Sequence, residues 1–181
     1  MFKCLNVKMN KAFTLVEMLV SILIFSIIIG AATGVFVSAI KLQRYSLTHQ
    51  QLLDQTSYAM EYMSRAIRMA QKDDDTCGFS GENYGLVGSD SIEFKTYHGQ
   101  CWRFFLEDER LKIDKDGDGP ELPYDLTSDK FKVETFKVDV SGDEAEKQPK
   151  ITIFMEVQGI GVGSQPRLRI QTTISQRNLN I

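Results

Sequence analysis

The sequence predicts an α+β chain, in which one long N-terminal helix, apolar in its first half and amphipathic in its second, packs against an antiparallel β-sheet head. Three observations lead there. Leu19 to Ile40 contains no charged residue. Leu42 to Ala70 then repeats apolar positions every three or four residues, and beyond Cys77 the period drops to two.

Taken in order, the helix begins with its membrane-compatible part. At 1.5 Å per residue, the uncharged run is long enough to span a hydrocarbon core of roughly 30 Å. Lys3, Lys8 and Lys11 lie before it, and Met1 to Ala12 holds no acid. The positive-inside rule then keeps the N-terminus in the cytoplasm and sends the C-terminus out. No small-residue cleavage site follows Ile40, where Lys41, Leu42 and Gln43 continue the helical pattern, so the apolar segment is expected to stay on the protein.

In the second half of the helix, Leu42, Tyr45, His49, Leu52, Thr56, Ala59, Met63, Ala66 and Ala70 form one face, widened by Leu53, Met60 and Ile67. A helix from Phe13 to Gln71 is predicted, ending before Asp73, Asp74 and Asp75, whose charges oppose a helix C-terminus. His49 lies on the packing stripe without companions for a metal set and is read as structural.

Six strands follow, at residues 91–97, 101–106, 110–113, 131–140, 150–157 and 168–175. His98-Gly99 and residues 107–109 read as tight turns, and 142–149 and 159–166 as longer polar connections. Short connections favour one antiparallel meander with its apolar face on the helix. The predicted divisions are 1–12, a leader; 13–40, the apolar helix; 41–72, its amphipathic continuation; and 73–181, the β-rich head.

Charge and cysteine usage narrow the function. The chain carries a net charge of −3, and because three of its 21 basic residues but none of its 24 acids precede Phe13, the remainder is more acidic still. Such a body gives no support for nucleic acid as a direct partner. Of the three cysteines, Cys4 lies in the leader, while Cys77 and Cys101 lie in the head. These two either pair or remain as buried thiols, and an exported head favours the pair.

The segment Asn10-Lys11-Ala12-Phe13-Thr14-Leu15-Val16-Glu17 closely resembles the cleavage and methylation site of type IV prepilins. That resemblance implies cutting between Ala12 and Phe13 by a prepilin peptidase, N-methylation of Phe13, and assembly with other pilin or pseudopilin subunits by inner-membrane machinery. Before assembly the helix would rest in membrane lipid. Ala12 departs from the family's usual Gly, and Met9 offers a second possible start that would leave a very short leader. Glu17 is a residue that a plain anchor has no use for, because an acid in a membrane helix is costly without a partner. The resemblance makes it the assembly residue, pairing with the Phe13 amine of a neighbouring subunit. The simpler alternative places it at headgroup level or beside the positive helix end.

Ser26, Gly30, Gly34 and Ser38 recur every fourth residue as a small-residue stripe. The stripe either lets neighbouring helices approach or reflects the ordinary glycine content of membrane helices. Helix, disulfide-bearing strands and a last strand ending in Ser175-Gln176-Arg177-Asn178 together resemble minor pilins and minor pseudopilins.

Asp114, Asp116 and Asp118, spaced two apart before a glycine, with Asp125 near the end of a twelve-residue loop, match the ligand logic of a calcium loop. The alternative is a solvated acidic turn. No nucleophile, base and acid grouping or phosphate loop can be assembled, which makes a non-enzymatic fibre subunit the leading expectation. A membrane-anchored adhesion or binding module is the alternative, and an anchored enzyme comes third.

Overall fold

The computed structural model describes residues 13–79, 81–115, 123–142, 148–161 and 165–177. Helix α1 covers Leu15–Arg68. The strands are β1 Ser91–Lys95, β2 Cys101–Glu107, β3 Arg110–Lys115, β4 Tyr124–Asp125, β5 Phe131–Ser141, β6 Lys150–Gly159 and β7 Arg167–Ser175. The chain divides into two compact units, Met1–Arg44 and Tyr45–Ile181.

In the first unit, every residue from Phe13 to Ala39 is exposed. In the second, α1 buries Leu52, Thr56, Ala59, Met60, Met63 and Ile67. This three-and-four spacing is the one expected, but the buried stripe begins only at Leu52. Tyr45 is exposed, as is Leu42 in the first unit, and Leu53 is 37% exposed on the flank, so these three do not belong to the packing face.

The strands form two antiparallel sheets, β1-β2-β3-β4 and β5-β6-β7, which corrects the expected single meander. The physical reason lies in strand length and direction. β5 and β6 pair over almost their whole length, leaving the shorter strands of the first sheet without a matching neighbour. β5 instead crosses the ends of that sheet, where Val133 N donates to Glu109 O at 2.8 Å and Val138 N to Ser89 O at 3.0 Å. The sheets thus share a core without sharing a ladder. Phe94, Phe104, Leu111 and Ile113 of one sheet, Phe136, Ile151, Ile153 and Met155 of the other, and the helix stripe belong to a single apolar cluster.

β5 also changes face midway. Phe131 and Val133 are buried at odd positions, Phe136 and Val138 at even ones, and the register shifts between Val133 and Thr135. One extra residue reverses the side-chain parity, so the bulge keeps both apolar pairs in the core.

The carbonyl end of α1 has specific partners. Tyr84 Oη donates to Ile67 O at 2.9 Å, Arg177 N to Arg68 O at 3.0 Å, and Gln176 Nε2 to Ala70 O at 2.9 Å. Helix termini leave such carbonyls orphaned, and here the loop after the helix and the last strand satisfy them. Between β2 and β3 the expected tight turn is present, with Asp108 and Glu109 at φ of 52° and 59°. Positive φ at both central residues matches the right-handed strand twist of a two-residue hairpin.

Candidate functional site

The start of α1 is built by Thr14 and Glu17. Thr14 precedes the first helical residue, and its Oγ1 accepts from the Glu17 backbone N–H at 3.3 Å, while Thr14 O accepts from Met18 N at 3.3 Å. Thr followed three residues later by Glu is the sequence form of a capping box, a signal present in the chain but not used in the prepilin reading above. It places Glu17 in the first helical turn, where a carboxylate is favoured by the positive end of the helix. Phe13, just before the cap, is 72% exposed.

Further along the apolar segment, the hydroxyls are satisfied by their own helix. Ser21 donates to Glu17 O at 2.7 Å, Ser26 to Ile22 O at 2.8 Å, Thr33 to Ile29 O at 2.8 Å and Ser38 to Gly34 O at 3.0 Å. In lipid each polar group must find an internal partner, and these four do so one turn back. A Cβ added at Gly30 or Gly34 would meet nothing within 4 Å. The four-residue stripe is therefore smooth, and its serine protons are already committed to the backbone. This is a helix long and apolar enough to cross a membrane.

Residues 7–33 match the family model for the prokaryotic N-terminal methylation motif. The chain is a type IV pilin- or pseudopilin-like precursor. No curated protein and no solved structure matches it. The matched span contains the capped helix start, Phe13 and Glu17. Ala12, the other residue at the expected cut, lies outside the described residues, as do the rest of the leader and Cys4.

In the pilin-like head, Cys77 and Cys101 form a disulfide with Cα atoms 5.6 Å apart, joining the loop after α1 to the start of β2. A buried acid organises the same loop. Asp73, 3% exposed, accepts backbone N–H bonds from Thr76, Cys77 and Phe79 at 3.0 to 3.2 Å. Its neighbour Asp74 points outward to Lys95, and that hydrogen bond, helped by the Thr76 hydroxyl, lowers the Asp74 carboxyl from 3.8 to about 2. Asp73 and Asp74 thus have separate environments, which their shared charge as a helix stop does not distinguish.

Of the four calcium candidates, Asp116 and Asp118 lie outside the described residues. Asp114 accepts from Arg103 at 3.2 Å and Asp125 from Arg110 at 2.7 Å, so each already faces a guanidinium. No cluster of three or more metal-ligating side chains occurs among the described residues. Arg103 also approaches Glu93 at 3.6 Å and stacks 4.8 Å from the Phe105 ring centre. The outer face of this sheet is consequently a ladder of compensated charges. His49 is half-buried on α1, as a packing residue would be.

Proposed function

We propose that this pilin-like precursor is a structural, non-catalytic subunit of a type IV pilus or pseudopilus, and a minor one. In this reading a prepilin peptidase cuts between Ala12 and Phe13 and the new N-terminus of Phe13 is methylated. The subunit waits in the inner membrane with its head on the far side until the assembly machinery adds it to the fibre. The observation that carries the proposal is the placement of Glu17. It is the one acid between Phe13 and Ile40, in the first turn of α1 behind the Thr14 cap and inside the matched methylation motif.

The physical argument is one of compensation. A carboxylate taken into the apolar interior of a fibre is costly unless a cation meets it. The amine created at Phe13 of an adjacent subunit is a cation of the right kind, at a helix start that can lie beside the first turn of its neighbour. Contact between such helices is eased by the Ser26, Gly30, Gly34 and Ser38 stripe, which lets backbones approach closely.

The test is mass spectrometry of the mature N-terminus combined with an assembly assay. Expected are a chain beginning at methylated Phe13 and, for Glu17→Ala, normal membrane insertion with at least tenfold less protein in sheared fibres. Fibre incorporation of Glu17→Ala at the wild-type level would remove Glu17 from assembly. An intact leader on the mature protein would favour a tethered binding head.

A further inference from the structure

The inner face of the first sheet breaks its own pattern at one end. Along β3 the inward positions are Leu111 and Ile113, both buried, and the next is Lys115, an ammonium where the period calls for an apolar side chain. Natural sequences break a local rule of this kind mainly at functional or strained sites. The backbone gives no reason for the break, since β3 pairs with β2 without a register shift and Lys115 lies directly opposite Trp102.

What surrounds that ammonium is aromatic. Lys115 Nζ lies 4.7 Å from the ring centre of Trp102, 5.8 Å from that of Tyr62 and 6.0 Å from that of Tyr124. The rings belong to β2, α1 and β4, so folding alone brings them together. Two are braced from behind, Trp102 by the edge of Phe94 at 6.3 Å and Tyr62 by that of Phe104 at 6.2 Å. Tyr124 is 51% exposed, and Tyr62 and Trp102 are only partly buried, so the cage is open to solvent. Among the described residues no carboxylate pairs with Lys115, and the buried Trp102 Nε1 has no acceptor either. The cage therefore offers ring faces and no hydrogen-bond acceptor.

We propose that Tyr62, Trp102 and Tyr124 form a binding site for a quaternary ammonium group, occupied by Lys115 until such a ligand displaces it. A site for a primary amine or a guanidinium needs acceptors for the N–H donors as well as a charge-stabilising wall. A quaternary nitrogen has no N–H to satisfy, and its methyl groups spread one charge over a weakly hydrated surface that touches several rings together. Aromatic cages are the recurrent solution for that chemistry. Lys115 is the weaker occupant, a compact and strongly hydrated ammonium on a flexible four-carbon stem that can swing into water. The group is carried both by free solutes of the choline and betaine kind and by choline lipid headgroups. Neither source depends on the fibre reading.

Trp102 is the only tryptophan in the chain, so its fluorescence reports on the cage. The full chain in a maltoside detergent is titrated at constant ionic strength with choline, with tetramethylammonium, and with the uncharged alcohol in which carbon replaces the choline nitrogen. A saturable change is expected with both cations and none with the alcohol over the same range. Lys115→Ala, which removes the resident cation, should tighten choline binding several-fold. Tyr124→Leu should weaken it about tenfold, while Tyr124→Phe keeps the ring and most of the affinity. In nanodiscs, a choline response present in phosphatidylglycerol and absent in phosphatidylcholine assigns the lipid headgroup as ligand, and equal responses assign a free solute. The proposal is overturned if Lys115→Ala, still unfolding cooperatively on heating, shows no saturable response to either cation. It is equally overturned if the alcohol binds as well as choline, or if Tyr124→Leu binds choline as tightly as the native chain.

Discussion

Gln176, the residue after β7, donates from Nε2 to the carbonyl of Ala70, 106 positions earlier, at 2.9 Å. It also donates to Asn83 Oδ1 at 3.1 Å, and its own carbonyl accepts from Gln148 Nε2 at 2.8 Å. With 1% of its surface exposed, this side chain fastens the last strand to the end of the helix, inside the head. Truncation to Gln176→Ala takes the side-chain donor from the Ala70 carbonyl. The expected cost is about 1–3 kcal/mol, read as a lower urea midpoint at unchanged slope. An unchanged midpoint would mean that water replaces the amide at no cost.

Asp74 and Lys95 yield a prediction in pH. The folded-state carboxyl is depressed to about 2, chiefly by the Lys95 hydrogen bond. Above the ordinary aspartate value the acid is charged in folded and unfolded chains alike, and the contribution of the pair is fully present. It is lost as pH falls through about 2. In a carboxyl-detected NMR titration, Lys95→Met should return Asp74 towards 3.8. If the depressed value persists in that variant, the Thr76 hydroxyl and the backbone, rather than Lys95, set it.

Much of this arrangement is legible from residue spacing, and the exceptions have physical causes. Helix and strands announce themselves because Leu52, Thr56, Ala59 and Met63 repeat at helical period and Ile151, Ile153 and Met155 at strand period. The bulge in β5 is legible too, in the three-residue step from Val133 to Phe136. Tyr124–Asp125 is not, because two residues carry no period and become a strand only through Lys112 and Ile113. Nor does charge alone reveal direction, so Asp73 looks like its exposed neighbours until its amide partners are seen. The division into two sheets depends on pairings distant in sequence. Thr14 and Glu17 are local, and the capping pattern they form is written in the chain.

Calcium at the loop from Asp114 to Asp125 is a proposal that makes a distinctive prediction. Because Asp114 and Asp125 already meet Arg103 and Arg110, a cation must compete with both guanidinium groups. Arg110→Gln should therefore raise calcium affinity several-fold in calorimetry, while Asp125→Asn and Asp118→Asn should lower it. Equal titrations for the native chain and Asp125→Asn would remove Asp125 from the ligand set.

The loop between α1 and β1 is held twice, and the two devices should not be independent. The Cys77–Cys101 bond closes a sequence separation of 24 residues, worth about 3 kcal/mol in the chain-entropy model. Asp73 gathers the amides of Thr76, Cys77 and Phe79 within the same loop. Asp73→Asn turns one carboxylate oxygen into an amide donor facing other donors and should cost about 1–3 kcal/mol with the disulfide intact. Without the disulfide, in Cys77→Ser with Cys101→Ser, the loop has more freedom to leave the carboxylate. The same Asp73→Asn change should then cost less, and the combined loss should fall short of the separate losses taken together. Urea unfolding of the four chains measures this coupling directly. Strict additivity would mean that the carboxylate orders its three amides whether or not the disulfide is present.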